Sequence, residues 1–384
     1  MTEWSLYCQL QTHEFRFTLF LHWIAIRIDP FRFEPFDEVP FPTEDGCYPL
    51  KWRYGIARFS TCNEVHAAIS LDRTSARRAE QSWDVTPISH GSYRQTWMLT
   101  DAQQPEGGGR VDEAVLKMYR LREGNNFKSK AYFQTQNEVL CMLLTHSSKR
   151  TMDIYQYCGA STIVEPGIPI ESDIIPYYGW SFLDLHELQK SDVRPMNNLT
   201  PVEKLNYATN MAESIALLHG NSKGAIVSHD IGFDQYLRSK KDGRLKLNDC
   251  IKASVLYWNP NEQRSCKFYS SQSDSYRAPE EINGGFIDES ADVVALAKFF
   301  CTILTGMRAY NEKKSSREAR KAALLGELPY VDPMYRNRSL IESRIVDIME
   351  RMWPYAASER VDIFTVLTHL YETARLANVT TTNI

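Results

Sequence analysis

The segment Asp292 to Thr305 constrains this chain more than any other. Val293, Val294, Leu296, Phe299, Phe300, Ile303 and Leu304 recur so closely that a helix here is apolar almost all round. Such a helix has no face for water, so it belongs at the centre of a helical assembly. The flanking sequence offers a shell for it. Thr200-Pro-Val-Glu203 reads as a capping box: the Thr hydroxyl accepts a backbone N–H, Pro takes a position that needs none, and Glu203 reaches back to the cap. Leu205, Ala208, Met211, Ala212, Ile215 and Leu218 follow at helical spacing, and Gly220 is a helix stop. Two more helices are expected, from about Ser339 to Met352 and from Asp362 to Leu376.

Upstream of Pro169 the pattern is different. Ile88 to Thr100 reads as two short strands around a Gly-containing turn, and Gln103 to Gly109 as a polar loop. Glu113-Ala-Val-Leu-Lys-Met-Tyr119 is a short apolar strand interrupted by one lysine. Phe133 to Leu144 has helical spacing, and Cys158 to Glu165 reads as a further strand ended by Pro166-Gly167. Strands, a helix, then strands is the order of a small sheet-based lobe. Residues 1–85 stand apart: aromatics and prolines crowd residues 28–54, and no regular pattern emerges. With 384 residues the chain has room for two lobes and an extra segment, since one domain takes roughly 100–200 residues.

Composition excludes some functions. The net charge is −4 and there is no basic run, so nothing points to nucleic acid. The eight cysteines are scattered without a Cys-x-x-Cys pair, which is read as buried or surface thiols in a reducing compartment and not as a zinc site. The apolar stretch Phe17 to Ile26 is shorter than the roughly 20 residues a membrane span needs, so it reads as a buried strand or amphipathic segment. A cytoplasmic location is the default, with membrane association through residues 17–26 left open. Asn-x-Ser/Thr triplets occur at Asn198, Asn337 and Asn378, and matter only in a secreted chain.

Four charged residues then fall in a telling order. Ala114-Val-Leu-Lys117 places a lysine in a strand, and Glu138 follows in the next helix. Asp230 lies in Ile226-Val-Ser-His-Asp-Ile-Gly-Phe-Asp-Gln-Tyr-Leu237, and Asp249 follows the turn Lys240 to Gly243 and a strand, Arg244 to Asn248. Downstream come Tyr276-Arg-Ala-Pro-Glu-Glu281, Asp292-Val-Val-Ala-Leu-Ala297 and Ser358-Glu-Arg-Val361. Singly each has an ordinary explanation, since a strand lysine can snorkel and Asp often caps turns. In this order and spacing, over about three quarters of the chain, they resemble the motifs of eukaryotic protein kinases.

The resemblance implies an α+β, bilobal fold: an N-terminal extension over 1–85, a small β-rich lobe over 86–170 and a larger helical lobe over 171–384. It implies ATP and Mg²⁺ as cofactors and a protein substrate or signalling partner. By the same resemblance Lys117, oriented by Glu138, would neutralise phosphate charge, with Gly91 in the phosphate loop; Asp230 would be the catalytic base; Asp249 and Gln235 would hold Mg²⁺. Glu280, Asp292 and Arg360 would be structural, Arg360 pairing with Glu280.

Several positions depart from the family's pattern. The glycine loop is Ser89-His-Gly-Ser-Tyr-Arg-Gln-Thr96, so Gly91 alone remains and Ser89, Arg94 and Thr96 replace the rest. Ser228 and His229 precede Asp230, Gly232 and Asp234 stand where family members carry specificity residues, and Gln235 replaces Asn. The metal motif reads Asp249-Cys-Ile251. His229 is a weaker phosphate partner than the arginine expected there, so phosphorylation of the Ser- and Tyr-rich stretch 265–276 is expected to activate little. Three readings follow. The first is a divergent active protein kinase, with Ser/Thr ahead of Tyr as acceptor. The second is a pseudokinase acting as a nucleotide-sensing or scaffolding module. The third, a small-molecule kinase, is disfavoured by the Ala-Pro-Glu motif and the long segment before it.

Overall fold

The computed structural model describes residues 83–90, 94–101, 113–120, 129–145, 148–176, 195–222 and 224–379. Residues 1–82 of the expected extension, with the apolar stretch 17–26, and Gly91 therefore lie outside the described residues, whereas residues 83–85 open the first strand. The architecture is mixed: a five-stranded antiparallel sheet followed by a mostly helical part.

The sheet is formed by β1 (Trp83–His90), β2 (Arg94–Asp101), β3 (Glu113–Tyr119), β4 (Ile154–Cys158) and β5 (Ser161–Val164), in the order β1-β2-β3-β5-β4. One helix, α1 (Ser129–Leu144), lies between β3 and β4 in the chain. The pleat sorts β3 by parity. Val115 joins Val139, Met142, Met152, Ile154 and Val164 in one buried cluster, on the side where α1 packs. Ala114 and Leu116 join Leu99 and Ile163 in another. Lys117 shares the parity of Val115, so its side chain goes to the α1 side.

A single strand was expected over Cys158 to Glu165. The chain instead makes a hairpin there: β4 ends at Cys158, Gly159 turns with φ +59°, and β5 pairs back antiparallel. The Pro166-Gly167 stop does end β5, but β6 (Gly167–Pro169) then leaves the sheet. It pairs with β8 (Tyr236–Ser239), which pairs in turn with β9 (Leu245–Leu247).

The helical part holds α2 (Glu171–Ile174), α3 (Pro201–His219), α4 (Pro279–Ile282), α5 (Ser290–Thr305), α6 (Ser316–Leu324), α7 (Tyr335–Arg338), α8 (Leu340–Met352) and α9 (Ile363–Leu376). Every residue of α5 from Ala291 to Thr305 is buried, as an all-round apolar helix requires. The apolar faces of α3, α8 and α9 close around it in one core cluster. The capping box at Thr200 is complete: its Oγ1 accepts from the Glu203 N–H at 3.3 Å, and Glu203 Oε2 accepts from the Thr200 N–H at 2.8 Å. At the starts of α8 and α9 the side chains of Ser339 and Asp362 accept from the N–H groups of Glu342 and Thr365. A buried ion pair, Lys204 to Glu342 at 2.8 Å, ties α3 to α8.

Two cysteines differ from the expectation of free thiols. Cys141, Cys250 and Cys301 are free and buried, whereas Cys158 and Cys266 are disulfide-bonded. Scattered spacing carries no information about which thiols the fold brings together, and that is why the reading of the sequence missed them. Among the described residues no helix is long and apolar enough to cross a membrane.

Candidate functional site

The Lys117 Nζ meets Glu138 Oε1 at 3.0 Å and also donates to the Asn248 carbonyl at 2.8 Å. Parity on β3 and one helical face of α1 bring the pair together: Thr135, Glu138, Val139 and Met142 lie at i, i+3, i+4 and i+7. A third side chain shares the cluster. Arg94 lies opposite Tyr119 in the β2–β3 register and Lys117 lies opposite Thr96, so Arg94 and Lys117 point to the same face. Arg94 pairs with Glu138 and donates to Thr135 Oγ1 at 3.1 Å. Glu138 is wholly buried. Burial alone would raise its pKa, but Lys117 and Arg94 outweigh it and hold the carboxyl below the usual range.

The Asn248 carbonyl connects this cluster to Asp249. Asp249 follows β9, keeps part of its surface open, and accepts from the Ile251 N–H at 2.8 Å. Burial of the carboxyl, then the charge of Glu138, pushes its pKa up. Among the described residues no cation forms an ion pair with Asp249, so it is a carboxylate short of positive charge. Gln235 is brought beside it through the backbone, since the Asn248 N–H donates to the Gln235 carbonyl at 2.8 Å. The Gln235 amide nitrogen donates to Asp234 at 3.2 Å, which leaves its side-chain oxygen as a possible ligand. One carboxylate and one amide oxygen suit Mg²⁺, which takes oxygen ligands and retains several waters. Among the described residues no group of three His, Cys, Asp or Glu side chains forms a fuller metal cage.

Asp230 lies after β7 (Ile226–Val227), which pairs with β10 (Ser254–Val255). The backbone between is held by Asp292 near the start of α5. Its carboxylate accepts from the Ser228 N–H at 2.7 Å and the His229 N–H at 3.1 Å, and His219 Nε2 lies 3.1 Å away. His229 is bent into the left-handed region, φ +55°. The Asp230 carboxylate meets Lys252 at 2.9 Å and also Arg277. Partial burial opposes its charge, but Arg277 and Lys252 hold its pKa below the ordinary range.

The segment between Asp249 and Glu280 is organised by short strands: β11 (Trp258–Asn259) pairs with β12 (Arg264–Ser265), and β13 (Phe268–Ser270) pairs with β14 (Gly285–Ile287), which lies beyond Glu280. His229 faces Glu281 at 3.4 Å and the Phe268 ring at 4.6 Å, and Ser270 donates to the same Glu281 at 3.0 Å. At its end, Arg360 grips Glu280 with two bonds, 2.6 and 2.9 Å, and donates to the carbonyls of Pro354 and Tyr355.

Of the residues singled out in the sequence, Lys117 and Glu138 are in contact, as are Glu280 and Arg360. Lys117 reaches the backbone next to Asp249, while Asp230 belongs to the adjoining loop, whose backbone Asp292 of α5 holds. Arg94, Lys252 and Arg277 were not assigned roles from the sequence. Arg94 does stand where the loop pattern wants glycine, and Lys252 is three residues past Asp249, but only pairing partners far along the chain give either a use. A scan against protein-family models and a search of curated proteins return no match for this chain.

Proposed function

We propose that this chain is a divergent, bilobal protein kinase that transfers the γ-phosphate of ATP to a protein hydroxyl. The observation that carries the reading is the bridge Glu138–Lys117–Asn248, which couples strand, helix and the backbone of Asp249 through one buried amino group. Lys117, and beside it Arg94, would meet phosphate charge; Arg94 supplies a cation where the usual glycine loop supplies backbone N–H groups. Asp249 and Gln235 would hold Mg²⁺, whose chemical contribution is to neutralise phosphate oxygens. Asp230 would orient the acceptor hydroxyl, and Lys252 beside it would steady charge on the transferring group.

One observation favours the alternative, a nucleotide-sensing or scaffolding pseudokinase. Arg277 and Lys252 both engage Oδ1 of Asp230 and hold its pKa low, which weakens the carboxylate as a base toward an acceptor hydroxyl. The test is Mg²⁺-dependent stabilisation of the full chain by ATP, run beside Lys117→Met and Asp230→Asn, with phosphate transfer to peptide mixtures followed in parallel. An active kinase gives a thermal shift that Lys117→Met abolishes, and turnover that Asp230→Asn abolishes while the shift persists. A shift without turnover in the wild type assigns the nucleotide-sensing pseudokinase, and no shift at millimolar nucleotide refutes the active kinase and favours the scaffolding pseudokinase.

A further inference from the structure

Two independent features bear on where this chain matures. The first is the thiol pattern. Cys158, at the end of β4, and Cys266, just after β12, are disulfide-bonded. Disulfides persist in oxidising compartments and are rare where glutathione keeps thiols reduced. The three free cysteines among the described residues, Cys141, Cys250 and Cys301, are all buried, so no accessible thiol is left unpaired among them.

The second is the set of glycosylation triplets. Asn198-Leu-Thr200, Asn337-Arg-Ser339 and Asn378-Val-Thr380 each have the acceptor spacing without proline between. All three asparagines are exposed: Asn198 in the turn before α3, Asn337 in α7, and Asn378 just after α9. The contrast with the neighbouring Asn197 is sharp. That side chain is buried and donates to the carbonyls of Ile174 and Ile303, at 3.2 and 3.0 Å, and it is not in a triplet. None of the three acceptors lies on β3, on α1 or between residues 226 and 252, the segments that carry the candidate site.

We infer that this chain matures in an oxidising secretory compartment and carries N-linked glycans at Asn198, Asn337 and Asn378. In the transfer, the Asn side-chain nitrogen forms a bond to the first sugar of a polyprenyl-diphosphate-linked oligosaccharide. The sugar–phosphate bond breaks, and the amide gives up one proton as the diphosphate leaves. The inference does not depend on phosphotransfer; with it, the acceptor hydroxyls are those of lumenal or secreted proteins.

The test uses the native protein purified from its source cells under alkylating conditions. Peptide N-glycosidase should increase its gel mobility and convert Asn198, Asn337 and Asn378 to Asp in peptide maps. Cys158 and Cys266 should take up alkylating label only after reduction. Each site stands or falls by its own conversion. A protein on which the glycosidase has no effect, or in which Cys158 and Cys266 are labelled without reductant, overturns the inference. Phosphotransfer activity does not bear on either result.

Discussion

The cluster Arg94–Glu138–Lys117 holds one buried carboxylate between two cations, and the imbalance orders the cost of removing each member. Glu138→Gln removes the one carboxylate that, among the described residues, ion-pairs with Lys117 and Arg94, and leaves them facing a neutral amide in the interior. Breaking a buried pair in that sense costs about 3–5 kcal/mol, because the remaining charge is uncompensated. Lys117→Met leaves Glu138 paired with Arg94, so the loss is that of a charged hydrogen bond, about 1.5–3 kcal/mol. The Glu138 variant should therefore be the less stable of the two, by roughly 1–2 kcal/mol on those figures. The assay is urea unfolding of the full chain, with the change read from the midpoint at constant slope. pH supplies a second axis. The folded-state pKa of Glu138 is depressed, so its contribution is present above the ordinary carboxylate value and is lost as pH falls through the folded-state value. The gap between wild type and Glu138→Gln should narrow on acidification. A Glu138→Gln midpoint equal to wild type, or a larger loss in Lys117→Met, would refute this account of the cluster.

Arg360→Lys should cost about 3 kcal/mol, because one ammonium cannot reproduce the two-pronged grip on Glu280 and the contacts to Pro354 and Tyr355; thermal unfolding checks it. Lys298, buried in α5, donates to the carbonyls of Ser275 at 3.0 Å and Arg277 at 2.5 Å, and burial pushes its pKa down to about 7. The unfolded state thus binds more protons between about pH 7 and the ordinary lysine value, so stability should rise with pH there; Lys298→Met should flatten that rise in urea titrations. Since His229 is already engaged by Glu281 and Phe268, phosphorylation of Ser271 or Ser273 should change turnover less than about threefold, a bound set by RT-scale coupling and checked with chemically phosphorylated protein.

The features legible in the residues alone are local. The boundaries of α3, α8 and α9 are written in Thr200, Ser339 and Asp362, whose side chains act on amides three residues ahead. The burial of α5 is written in its composition, and the strand β3 in its apolar run around Lys117. The contacts Lys117–Glu138 and Glu280–Arg360 were legible only through the resemblance, because partners 21 and 80 residues apart leave no mark in periodicity. The tertiary structure alone decided that Arg94 shares Glu138 with Lys117, that Lys252 and Arg277 meet on Asp230, and that β6 pairs with β8. It also decided which cysteines are bonded and which stay free in the core. Each depends on register or on packing between distant segments. A side chain's charge is a property of the sequence, but the partner that compensates it is set by where the backbone turns.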